Sequence, residues 1–191
     1  MYSVILKGDI MKYIVDVDAG TVEEYKDPTE NTTVSYTPKK RQIQMLEVLK
    51  QWWGAKEWDG IVSGIQKWFY GYVSKTSWCA TTISYLLEAV GIHIKDENVY
   101  NLMKKAEKSN IGQFYTRNDI NTGFCKTIQE GDILFFLWTG DSMNSTSKKH
   151  VTMCAQTTDG EKIKCLGGNQ NDGVSYAAYN KNKLFAVWRI D

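Results

Sequence analysis

The period of hydrophobic and polar positions changes once along the chain, near residue 127. From residue 37 to that point apolar residues recur every three or four positions. Ile43, Leu46, Leu49 and Trp53 are spaced as one helical face, with Thr37 as N-cap, Pro38 at the first helical position and Gly54 as the stop. "WDGIVSGIQKWFYGYV" (58–73) predicts a short helix leading into a loop. "SWCATTISYLLEAVGI" (77–92) predicts a helix that starts at Cys79, turns Ile83, Leu86, Leu87 and Val90 inward, and closes at Gly91. "DENVYNLMKKAEKS" predicts another helix, capped by Asp96.

Beyond residue 127 the pattern becomes strand-like in "GDILFFLW", "HVTMCAQT", "EKIKCLGG", "GVSYAAY" and "KLFAVWRI", and "TTDGEK" predicts a hairpin turn of the Asp-Gly kind. Helices followed by an antiparallel sheet make an α+β domain. "MKYIVDVD" near the start predicts one further short strand, and the polar "DPTENTTVSYTPKK" (27–40) is a linker candidate. The expected organisation is an N-terminal extension over 1–36, with no role assigned to it, and one domain over 37–191.

Composition narrows the function classes. Twenty-three Lys+Arg against 22 Asp+Glu give a net charge of +1, which provides no field for nucleic acid or a membrane surface. The first 20 residues lack the apolar core and cleavage site of a signal peptide, and no run is long enough to span a bilayer. Synthesis in the cytoplasm is expected, and the four cysteines (79, 125, 154 and 165) are read as free thiols. No CxxC pair is present, and "DVDAG" begins like a calcium loop but lacks the acidic residue at the bidentate position. No metal and no cofactor are expected.

Cys79 stands apart because of its place. A helix N-terminus presents free backbone N–H groups that favour a thiolate. A thiolate nucleophile needs a base, and the chain has two histidines. His93 follows the helix that Cys79 opens, about 15 to 20 Å away at ~1.5 Å per residue. His150 opens the strand "HVTMCAQT" and is the candidate base. "GGNQND" (167–172) ends the next strand and supplies an amide to orient the imidazole, with Asn169 the first choice and Gln170 the second.

"WCATTISYLLEAVGI", "EGDILFFLW", "KHVTMCAQ", "CLGGNQNDGVSY" and "FAVWRI", in that order, resemble the CHAP group of cysteine- and histidine-dependent amidohydrolases and peptidases. The likeness is greatest to the subset with "WCA" and "GGNQ" motifs and covers roughly residues 60 to 190. It implies a papain-like NlpC/CHAP fold over 37–191, with Cys79 as nucleophile, His150 as base and Asn169 as orienting residue. The implied activity is peptidoglycan hydrolysis, by an amidase or an endopeptidase. The implied partner is bacterial peptidoglycan, reached after lysis, holin release or injection. A phage lysin with a structural partner and an antibacterial effector with an immunity protein both fit, in either case as a monomer. "KHV" departs from the commoner Gly-His-Val, and nothing before residue 60 has a counterpart.

In the mechanism this implies, the Cys79 backbone N–H holds the oxyanion. A second donor comes from the preceding loop, where Ser77, Lys75 and Tyr72 are unranked candidates and Trp78 and Gln170 are substrate-contact candidates. Aromatic residues crowd "QWW", "EWDG" and "KWFYGY", either as core or as a stacking wall for sugar rings. Lys148 and Lys149 are solvated charges or carboxylate partners. The alternatives are a papain-like protease or transglutaminase-like enzyme acting on proteins, and a wall-binding module without catalysis.

Overall fold

A computed structural model describes residues 12–16, 21–25, 40–140 and 142–191. The chain divides into two units, Met1–Lys39 and Lys40–Asp191, a junction slightly beyond the 36/37 boundary read from the sequence. In the first unit, β1 (Lys12–Asp16) pairs antiparallel with β2 (Thr21–Tyr25). Thr37, Pro38, most of the linker candidate and most of "DVDAG" lie outside the described residues.

The second unit follows the order read from the sequence, helices first. These are α1 (Arg41–Gln51), α2 (Gly60–Tyr70), α3 (Cys79–Ala89) and α4 (Val99–Lys108). A short β3 (Gln113–Thr116) and α5 (Arg117–Asn121) come next. Then come β4 (Ile133–Leu137), β5 (Lys149–Cys154), β6 (Lys162–Gln170), β7 (Gly173–Asn180) and β8 (Leu184–Arg189). The six strands form one sheet in the order β3-β8-β4-β5-β6-β7, and all its pairs are antiparallel. The architecture is helices with an antiparallel sheet, as expected of an α+β domain.

Strand alternation assigns each face of the sheet to one of two apolar clusters. Ile133, Phe135, Leu137, Val151 and Met153 pack with Met45, Leu46, Ile83, Leu86, Leu87 and Leu102 of the helices. Leu134, Phe136, Cys154, Ile163 and Cys165 point the other way and are covered by Ile120, Cys125 and Ile128. Both faces of β4 are therefore dry, which explains its unbroken apolar run "ILFFL". The helix that opens at Cys79 is central: residues 79–84, 86 and 87 are all buried. Burial of Ile83, Leu86 and Leu87, fully enclosed, stabilises the fold by about 1.5–3 kcal/mol each. Val90, expected on the same face, is its half-buried C-cap, followed by Gly91 at φ +75°.

Three local expectations are corrected. Trp53 is 64% exposed, because α1 ends at Gln51 and the helical period does not carry that far. Gln42 and Met45 join Leu46 and Leu49 on the buried face instead, Ile43 is only half-buried, and Trp52 packs at a tilt on Tyr85 at 5.6 Å. The cap of α4 is Asn98, whose side chain accepts from the Tyr100 N–H at 2.9 Å. Asp96 sits two residues earlier, accepting from the Asn98 N–H and pairing with Lys105. The β5–β6 connection is longer than an Asp-Gly hairpin, because Thr158 exchanges two 2.8 Å backbone hydrogen bonds with Ile128.

Candidate active site

Cys79 opens α3 at the same end of the sheet where His150 opens β5. Strands β5 and β6 pair only at Met153–Leu166 and Cys154–Cys165, so the β5 backbone nearer His150 is free of ladder partners on that side. The Cys79 sulfur uses that freedom. It lies close enough to the His150 side chain and to the backbone N–H groups of Val151 and Ala80 for each to act on its charge.

The two groups then tune one another. Burial alone would push the Cys79 thiol up. The His150 hydrogen bond and charge, with the two backbone N–H groups, outweigh burial and bring it below its ordinary value. Burial likewise pulls His150 down, and the Cys79 thiolate with the Gln170 contact more than reverses this. Opposite shifts of this kind favour the thiolate–imidazolium form. Cys79 is only 4% exposed and His150 7%, so the pair interacts in low dielectric, where such charges act strongly.

His150 Nε2 lies 3.0 Å from the Oε1 of Gln170, which leaves Nδ1 as the nitrogen free to face sulfur. The residue brought to the imidazole is thus Gln170 and not Asn169. The cause is a β-bulge, a register shift between Gly167 and Gln170 in the β6–β7 ladder. Asn169 occupies it with φ +59°, a left-handed conformation that Asn tolerates better than most residues. On an unbroken strand, positions 165, 167 and 169 would share the His150 face. The extra residue passes that place to Gln170. Its amide cannot turn around, because Gln170 Nε2 donates to the Ser175 carbonyl. Tyr179, which the sequence reading passed over, donates its hydroxyl to the same Gln170 oxygen at 3.2 Å.

The remaining candidates fall elsewhere. Tyr72, Lys75 and Ser77 are exposed on the loop ahead of α3. That loop is held by the buried Gln66, whose Oε1 accepts from the Ser74 N–H, and by a Ser74–Thr76–Tyr70–Thr81 hydroxyl chain. Trp78 is enclosed at the N-cap of α3 and lies against Gly168, where an added Cβ would come within 2.5 Å of its ring. Its full enclosure makes it a packing residue in this structure. His93 is exposed at the far end of α3 and bonds Glu88 at 3.1 Å. Lys149 donates to the Ser145 and Ser147 carbonyls, and Lys148 is exposed.

Among the described residues no cluster of His, Cys, Asp or Glu could hold a metal, and no helix is long and apolar enough to cross a membrane. A cleft of about 410 Å³ lined by Ile120, Asp159, Glu161 and Lys181 lies at the end of the β6–β7 hairpin away from Gln170. It shares no residue with the Cys79 site.

No family model matches the chain, and no curated protein or solved structure matches it either.

Proposed function

We propose that the chain is a CHAP-type, papain-like cysteine hydrolase that cuts an amide bond of bacterial peptidoglycan. The observation that carries this reading is the line Cys79–His150–Gln170. A thiol held below its ordinary pKa lies at a helix N-terminus beside an imidazole whose second nitrogen faces a locked amide. Cys79 Sγ attacks the scissile carbonyl carbon, and the oxyanion is held by the Cys79 backbone N–H and a donor from the 71–78 loop. His150 gives its proton to the departing amine as the C–N bond breaks. It then takes a proton from water, which adds to the thioester and releases the Cys79 sulfur. Trp53, Trp58, Trp68 and Tyr72 are exposed on the aromatic stretch ahead of Cys79. Its 54–57 segment hydrogen-bonds the backbone of Asp172 and Val174, close to Gln170. A ring-lined approach of this kind suits a polymer that carries sugars.

Mass spectrometry of purified peptidoglycan fragments after incubation tests the reading. Release of new amines at a sugar–peptide bond identifies an amidase, and release within stem or cross-bridge identifies an endopeptidase. Intact peptidoglycan together with cleavage of a denatured protein would replace this reading with that of a protease.

The third residue is open to a separate test. Gln170→Ala is expected to lower kcat by ~10 to 10³-fold, since orientation is only part of the barrier. Asn169→Gly, which keeps the left-handed backbone without strain, is expected to stay near wild type. Initial rates of both on one peptidoglycan substrate check this. The opposite ranking would return the role to Asn169.

A further inference from the structure

Tyr179 is the one member of this constellation to which the mechanism above gives no task. Its hydroxyl and His150 Nε2 converge on a single acceptor, Gln170 Oε1, at 3.2 and 3.0 Å. Its ring meets the imidazole edge-on, with centroids 5.8 Å apart at 70°. Phe136 and Trp138, stacked on each other, each lie 5.0 Å from the Tyr179 ring and pack against it. The Gln170 amide is tethered at its other end by Ser175, so it cannot swing to favour one donor. Burial raises the Tyr179 phenol to about 12, so it remains a donor throughout the working range of pH.

We propose that Tyr179 is a positioning residue: by sharing the Gln170 oxygen with His150 it limits how tightly that oxygen holds the imidazolium proton. A carbonyl oxygen that already accepts one O–H has less electron density to offer a second donor. The imidazolium is thereby kept acidic enough to protonate a leaving amine, while the Nε2–H tautomer is retained. Among the described residues, the ionisable groups facing His150 are Cys79 from α3 and Tyr179 from β7. The neighbouring Lys149 has its ammonium turned to the Ser145 and Ser147 carbonyls. The proposal rests on Cys79 and His150 being the reactive pair and is independent of the polymer cut.

The chain has only two histidines, so long-range ¹H–¹⁵N NMR of the full protein reads His150 directly once His93→Gln has assigned the other. In Tyr179→Phe the ring and its packing stay, and only the hydroxyl is lost. The titration midpoint of His150 is expected to rise by about 0.3 to 0.5 pH unit with the Nε2–H tautomer unchanged. On peptidoglycan, kcat is expected to fall about 3- to 10-fold at constant KM. Ser175→Ala, which removes a hydroxyl bonded to the Gln170 backbone carbonyl but leaves the shared oxygen alone, is expected to leave the midpoint in place. An unchanged or lower midpoint in Tyr179→Phe overturns the proposal, and so does an equal shift in Ser175→Ala, which would mean general loosening. A midpoint shift in a protein that cuts no peptidoglycan supports the role of Tyr179 and removes the proposed substrate.

Discussion

Replacing Cys79 by alanine is expected to abolish hydrolysis, by ~10⁴-fold or more, because no other group in the site can form the acyl intermediate. The fold should survive. The change removes one buried sulfur, about 1 kcal/mol, and a melting temperature within ~2–4 °C of wild type is expected. Cys125→Ala should keep full activity, since burial raises that thiol and it faces the other apolar cluster. The same assay separates His150 from the nucleophile. In His150→Ala the two largest interactions that lower Cys79 are gone and only the Val151 and Ala80 N–H groups are left to oppose burial, so its alkylation by iodoacetamide at pH 7 should slow sharply. In the wild type Cys79 should react first. Cys154 and Cys165 are fully buried, the first raised by burial to about 12 and the second higher still. Fragment release, alkylation mapping and thermal melting together check these outcomes. Wild-type turnover in Cys79→Ala would end the nucleophile assignment.

The second large effect is on stability. Asp132, in the "EGDILFFLW" segment, is fully buried and takes both Nε and Nη2 of Arg189, at 2.8 and 2.7 Å, and the Gln129 N–H at 2.8 Å. It ties the start of β4 to the end of β8 and to the turn before it. Asp132→Ala leaves a guanidinium that is mostly enclosed without its carboxylate, a loss of about 3–5 kcal/mol. A fall of the melting temperature by roughly 10 °C or more is expected, with activity per folded molecule little changed. Urea titration of wild type and variant measures the difference. A stability within 1 kcal/mol of wild type would show the pair to be balanced by its own desolvation.

Much of this molecule is legible in the sequence because period and punctuation are local. All five strands after residue 127 fall where the strand-like segments place them, four by alternation and β4 by its unbroken apolar run, and Cys79 and His150 meet as their element ends predict. What escaped reading depends on register. The edge strand β3 is four residues long with only a half-buried pattern, too short for a period to emerge. Helix α5 did carry a signal, the Thr116–Asp119 capping box. Gln170 and Asn169 are adjacent, and their roles are exchanged by one bulge residue in β6. The "GGN" preceding it, with two residues free of Cβ and one tolerant of left-handed backbone, is the only trace of that bulge in the sequence. Tyr179 reads as one more aromatic in a strand until the sheet brings it beside His150.

Gly168 has a further consequence. The helix that opens at Cys79 and the strand that leads to Gln170 meet there with no side chain between them, because a methyl group would overlap Trp78 and Thr82 Oγ1. Trp78 and Thr82 belong to the first turn of the helix that presents Cys79, and Thr82 Oγ1 in turn bonds the Trp78 carbonyl at 2.9 Å. The reactive geometry is therefore fixed by the same contact that closes the core. Parting Cys79 from the strand that leads to Gln170 means opening a contact of the buried core, at the fully enclosed Trp78. Loss of the proposed activity on heating is therefore expected to coincide with unfolding of the domain.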